Sequence, residues 1–139
     1  MMRFMIIVKA TKDSEAGVMP EEKLIAAMAD YHEELAKAGI LQDASGLQPS
    51  SKGWRIQYAG DKRTVNDGPF TETKELIAGY TIIQVKSRQE AMEWTRRFPN
   101  PAGDGRTSEI EVRQLFELDD FGPSDAVERF RRLDEDKNQ

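Results

Sequence analysis

Near the start of the chain, Phe4, Ile6 and Val8 alternate with Met5, Ile7 and Lys9, so an extended segment over Arg3 to Lys9 is apolar on both sides. Such a strand belongs inside a sheet and needs cover on two faces. The next pattern is helical. Leu24, Ile25, Met28, Tyr31, Leu35 and Ala38 recur at three- and four-residue steps between Pro20, suited to a first turn, and Gly39, suited to a stop. The spacing predicts a helix from Pro20 to Ala38.

Ile40 to Gly53 is rich in Ser, Gly and Pro and reads as a connection with at most a short strand. Trp54, Ile56 and Tyr58 alternate with polar residues, and Arg63 to Val65 resumes extended chain after Gly60-Asp61, which predicts a hairpin. Asn66-Asp67-Gly68-Pro69 ends its second arm, and Thr73 to Ala78 has room for a helical turn. Tyr80 to Lys86 is the strongest strand. Ser87 with Glu90 three residues later is a capping box for a helix that ends before Pro99, with Ala91, Trp94, Thr95 and Phe98 inward. After the loop Asn100 to Ser108, alternation from Ile110 to Leu118 gives the last strand. From Ser124, Val127, Phe130 and Leu133 lie at helical spacing, with Asp134 to Gln139 expected to fray.

Composition excludes several function classes. The 139 residues make one domain's worth, with no cysteine for a disulfide, a thiolate nucleophile or a thiolate metal site, and a single histidine rules out multi-histidine metal centres. A net charge of -5 is the wrong sign for nucleic acid. The basic trio Arg129, Arg131 and Arg132 is interleaved with acids. Met1 to Ala10 is too short and too soon followed by charge for a signal peptide, and no stretch approaches the ~20 apolar residues of a membrane span. The expectation is a cytoplasmic protein with no membrane or nucleic-acid partner.

The order strand, helix, hairpin, strand, helix, strand approximates βαββαβ: a ferredoxin-like α+β subunit, an antiparallel sheet with helices on one face. Its second face retains apolar side chains from Met5 and Ile7 and from Thr81, Ile83 and Val85 or their opposite-parity neighbours. An uncovered patch of that kind calls for a partner, most simply a second copy, giving a dimeric α/β barrel. Residues 1–121 form this domain; residues 122–139 add a short amphipathic helix and tail.

The run Val65-Asn66-Asp67-Gly68-Pro69-Phe70-Thr71-Glu72-Thr73-Lys74-Glu75, followed by Ile77-Ala78-Gly79-Tyr80, resembles the YCII-related family, in particular the group named for its Asp-Gly-Pro-Phe motif. Ala38-Gly39-Ile40-Leu41, Gly46-Leu47-Gln48-Pro49-Ser50, Glu90-Ala91-Met92-Glu93-Trp94 and Ile110-Glu111-Val112-Arg113 extend the likeness over roughly Met1 to Phe121. The resemblance implies a dimeric α/β barrel, small-molecule chemistry at a His-Asp pair in a cleft, and association of related domains with extracytoplasmic-function sigma factors. Asp67 stands in the matching motif, while His32, on the first helix, matches the family's histidine only approximately.

His32 is the one side chain that titrates near neutrality without help, so it is the natural general base; the alternative is a helix-flank histidine half in solvent. Asp67 is either its partner or a turn-fixing carboxylate. Glu72 is a candidate acid or base, with Lys74 steadying an anion, unless both belong to a solvated ion-pair cluster. Lys9, Arg55 and Arg113 are candidates for binding a carboxylate or phenolate inside the barrel; outward pairing of the arginines with Glu111 or Glu117 is the alternative. Trp54, Tyr80 and Trp94 read as core. No metal or redox cofactor is called for by this pattern, although Asp67, Glu72 and His32 are of the type that can hold a cation. Two functions follow: a cofactor-independent isomerase, lyase or hydrolase acting on a small anionic aromatic or lactone-like molecule, or a non-catalytic ligand-binding or protein-interaction module linked to sigma-factor regulation.

Overall fold

The computed structural model describes residues 1–137. Its main sheet has four antiparallel strands in the order β2-β5-β1-β6, formed by β1 (Met2–Lys9), β2 (Leu41–Gly46), β5 (Ile77–Val85) and β6 (Ile110–Gln114). With α2 (Glu22–Lys37) after β1 and α3 (Arg88–Arg96) after β5, this is the ferredoxin-like arrangement. The hairpin β3 (Trp54–Ala59) and β4 (Lys62–Asp67) is an insertion between β2 and β5 that forms its own two-stranded sheet.

That division corrects the expectation from sequence. The second strand of the main sheet is β2, in the stretch read mainly as loop, and the Trp54 hairpin lies outside the core. Trp54 is 63% exposed, so its expected core role does not hold. The smaller departures are local. A four-residue helix α1 (Lys12–Glu15), unforeseen, is capped by Thr11, whose hydroxyl accepts from Ser14 N–H. Helix α2 starts at Glu22, two residues after Pro20. Beyond β6 the chain makes a 3-10 turn over Leu118–Phe121, then α4 (Asp125–Lys137), capped by the Ser124 hydroxyl on Val127 N–H. Asp134 to Lys137 are therefore helical, and the fraying expected at Asn138 and Gln139 falls outside the described residues.

Local chemistry explains the ends. Helix α2 closes with Gly39 at φ 73°, and both Ile40 N–H to Leu35 O and Gly39 N–H to Ala36 O are made, the double bond pattern that a left-handed glycine permits. Ser87 accepts from Glu90 N–H, whereas the Glu90 carboxylate reaches back one residue beyond the cap, to Lys86 N–H.

Phe4 and Ile6 on β1 face Ile83 and Thr81 on β5, and this side of the sheet receives Tyr31 and Leu35 of α2 and Ala91 of α3. Ile6, Leu35, Ile83 and Val85 are fully buried. Trp94 packs at the edge of this core, as expected. Tyr31 anchors the two helices to each other, its hydroxyl donating to Trp94 O at 2.7 Å. Burial pushes its phenol up to about 12, Arg97 opposing and Glu34 adding to the shift. An unfolded tyrosine ionises near ~10, so the raised value means that stability from this residue is full below that pH and is lost as pH rises through 12. Urea midpoints should therefore fall more steeply above pH 10 in the parent chain than in Tyr31→Phe, the difference reaching roughly 2 kcal/mol. Parallel slopes would contradict the assignment.

No helix among the described residues is long and apolar enough to cross a membrane.

Candidate functional site

Cross-strand partners share a face. Because Phe4, Ile6, Thr81 and Ile83 face the helices, the opposite face carries Met5, Ile7, Tyr80, Ile82, Glu111 and Arg113. No helix covers it. The expected apolar excess on this face is thus supplied by Met5, Ile7 and Ile82, and Thr81, Ile83 and Val85 are on the covered side.

Polar groups edge this apolar floor. Lys9, at the last position of β1, places its ammonium 3.1 Å from Glu111 Oε1, and only 24% of its side chain is exposed. Arg113 Nε lies 4.0 Å from the other Glu111 oxygen. One carboxylate thus serves two cations, leaving the trio with one positive charge to spare. Across the floor, Tyr80 donates its phenolic hydrogen to Asp43 Oδ2 at 3.0 Å. Tyr80, expected in the core, is on the open face instead. Of the four predicted ligand-binding residues, Lys9 and Arg113 are brought together here.

Arg55 and Lys74 are elsewhere. Arg55 belongs to the inserted hairpin, outside the main sheet; its guanidinium carbon lies 3.8 Å above the centre of the Phe70 ring. Lys74 and Glu72 are exposed in and beside the 3-10 turn Thr73–Glu75. That turn abuts the end of β1, where Ala10 N–H donates to Leu76 O and Lys9 pairs with Ile77. Glu72, Lys74 and Lys9 therefore share one end of the sheet.

The Asp-Gly-Pro-Phe turn is held at that end by a latch the sequence did not disclose. Ser50 donates its N–H at 2.9 Å and its hydroxyl to the two oxygens of Glu15, and accepts from Phe70 N–H at 2.9 Å. Gly68 N–H donates to Gly53 O at 3.0 Å. The Gly68-Pro69 bond is cis. Among the described residues the Asp67 carboxylate has no hydrogen-bond partner, so the turn-fixing role considered for it is filled by Ser50 and Glu15.

His32 is not brought to Asp67. Its Nδ1 is 2.7 Å from Met28 O, and because a carbonyl only accepts, this nitrogen carries the proton. Nε2 then faces the Thr81 hydroxyl at 2.8 Å. Thr81 is buried on the helix side of β5, and His32 is the partner its hydroxyl requires. Within the chain the dyad expectation is corrected: both imidazole nitrogens are engaged behind the sheet, where Tyr31 and Phe98 flank the ring edge-on. The cation site considered for Asp67, Glu72 and His32 is not assembled either. No three His, Asp or Glu side chains among the described residues come close enough to hold a metal ion.

Two shallow clefts lie on other surfaces. One of about 280 Å³ runs between Phe98, Pro99 and Ile110, and one of about 210 Å³ between Phe4, Met92 and Val112. Neither contains a candidate acid or base from the motif.

Sheet order, helix placement and a polar-edged open face together define a ferredoxin-like α+β protein. The sequence matches the YCII-related domain over residues 2–118, and the chain belongs to that family. An uncharacterised protein of Rhizobium meliloti (strain 1021) is 28% identical over 95 residues, which are 68% of this chain and 75% of that protein. A solved structure of 5-chloro-2-hydroxyhydroquinone dehydrochlorinase from Burkholderia phenoliruptrix AC1100, in complex with 2,5-dihydroxybenzoquinone, is 16% identical. The likeness covers 84% of this chain and 95% of the other, with a TM-score of 0.42.

Proposed function

We propose that two copies of this chain close their open sheet faces into a barrel. Inside it, the protein acts on a small anionic aromatic or lactone-like molecule by proton transfer, without a redox cofactor. The reaction class is isomerisation, elimination or hydrolysis. The observation that carries this reading is the Lys9-Glu111-Arg113 trio beside the apolar side chains of Met5, Ile7 and Ile82. The Arg113 side chain is 73% exposed in the single chain, and once a second copy shuts water out, the two cations share one carboxylate and call for a further anion. Lys9 and Arg113 receive the anionic group, and Asp67 and Glu72, from the motif end of the sheet, are the acid and base. His32 supports β5 from behind through Thr81.

A non-catalytic module that binds a ligand or a regulatory partner is favoured by one observation, that His32 and Asp67 do not pair within the chain. Asp67→Asn separates the two readings, because among the described residues no hydrogen bond depends on its carboxylate. In a turnover screen over aromatic acids and lactones, an enzyme loses rate by about 100-fold or more in Asp67→Asn with an unchanged denaturation midpoint. A panel that binds to both proteins and is turned over by neither sinks the enzyme reading.

A further inference from the structure

Tyr80 stands in the centre of the same face. It lies directly opposite Ile7, which lies directly opposite Glu111. Neighbouring strands are ~4.8 Å apart, so the backbones of Tyr80 and Glu111 are about 10 Å apart, with the Ile7 side chain as floor between them. Met5 and Ile82 form the next row of that floor. Tyr80 and the Lys9-Glu111-Arg113 cluster thus flank an apolar strip one strand wide.

The hydrogen-bond inventory fixes which ligand groups these two ends call for. Tyr80 has a single phenolic hydrogen, and Asp43, an acceptor only, takes it at 3.0 Å. The phenolic oxygen therefore keeps its lone pairs free for a donor. At the opposite end Lys9 and Arg113 only donate and call for an anion. We infer that Tyr80, oriented by Asp43, accepts a hydrogen bond from a ligand hydroxyl. The ligand class is then a hydroxy-substituted aromatic anion, lying with its anionic group toward β6 and its hydroxyl toward β5. This inference rests on the reading of the open face as the anion site. A carbonyl or second anion at the Tyr80 end would meet only lone pairs and the Asp43 carboxylate, so a ring bearing a donor is selected over one bearing an acceptor.

Calorimetric titration with benzoate, 4-hydroxybenzoate and 4-methoxybenzoate tests it in the parent chain, Tyr80→Phe and Arg113→Gln. Tyr80→Phe keeps the ring and the β5 register, and its circular dichroism should match the parent. The parent should bind 4-hydroxybenzoate roughly tenfold more tightly than benzoate, the size of one buried hydrogen bond, with no gain for the methoxy compound. Tyr80→Phe should equalise the hydroxy compound and benzoate, while Arg113→Gln weakens all three alike. If the parent does not prefer the hydroxy compound, or Tyr80→Phe retains the preference, the assignment of Tyr80 is wrong and the anion site stands. If none of the three binds the parent, or Arg113→Gln binds them unchanged, the open-face reading itself falls, and this inference with it.

Discussion

Replacing Gly68 by alanine is expected to cost the protein about 3 kcal/mol or more of folding stability, a large share of what a domain this size possesses. A Cβ at this position would lie 1.8 Å from the Ser50 carbonyl oxygen and 2.6 Å from its carbon. Both are backbone atoms, so no rotamer change relieves the overlap. Either the motif or the Ser50–Lys52 turn has to move. Moving either one breaks the Phe70 N–H to Ser50 bond, the Gly68 N–H to Gly53 bond and, through Ser50, the hold of Glu15. Gly53→Ala is the control, since its nearest neighbour to an added Cβ is at an ordinary 3.8 Å. Chemical denaturation should place Gly68→Ala far below the parent and Gly53→Ala within about 1 kcal/mol of it. Equal effects would mean that the latch does not organise this end of the sheet.

The second large effect concerns Ile82→Asp. Ile82 is on the open face, opposite Met5 and beside Asp43, and is partly exposed. In the single chain an aspartate there stays in contact with water, and the circular dichroism spectrum should be unchanged. In the proposed dimer the same carboxylate is buried twice, once from each copy, next to apolar side chains. Burial of an unpaired charge costs several kcal/mol, so association should weaken by roughly a thousandfold or more. A surface substitution on an exposed helix flank, such as Ala29→Asp, should leave association as it was.

What the sequence disclosed follows from where its signals are strong. β1, β5 and α3 were legible because their apolar residues repeat at the period of the element and their caps are explicit, as at Ser87. β2 was hidden because Leu41–Gly46 buries almost nothing. As an edge strand it is held by backbone pairing to β5, which Ala44, Ser45 and Gly46 do not advertise. The hairpin misled in the other direction, since Trp54, Ile56 and Tyr58 have the alternation of a core strand while projecting from the domain. In the candidate site, strand parity was enough to nominate Lys9 and Arg113. The pairing of Glu111 with Lys9 is set by the β1-β6 register, across 102 positions of chain, and no local pattern encodes it. The same holds for His32 and Thr81. The spacing of α2 put His32 at the edge of the apolar stripe, but its partner is on a strand 49 residues away. Tyr80 was assigned to the core because an aromatic in a strong strand usually is; its parity with Ile82 was the available signal. Glu15 and Ser50 lacked even that, since each sits in a turn whose neighbours are fixed only by the fold.

In the proposed dimer, the open face is the surface that the second copy covers. Sedimentation of the parent chain and of Ile82→Asp over a micromolar dilution series examines this directly. The account predicts a parent species of twice the 15.8 kDa chain mass and a single-chain species for Ile82→Asp. A parent that sediments as one chain throughout, or an Ile82→Asp variant that stays paired, would contradict it.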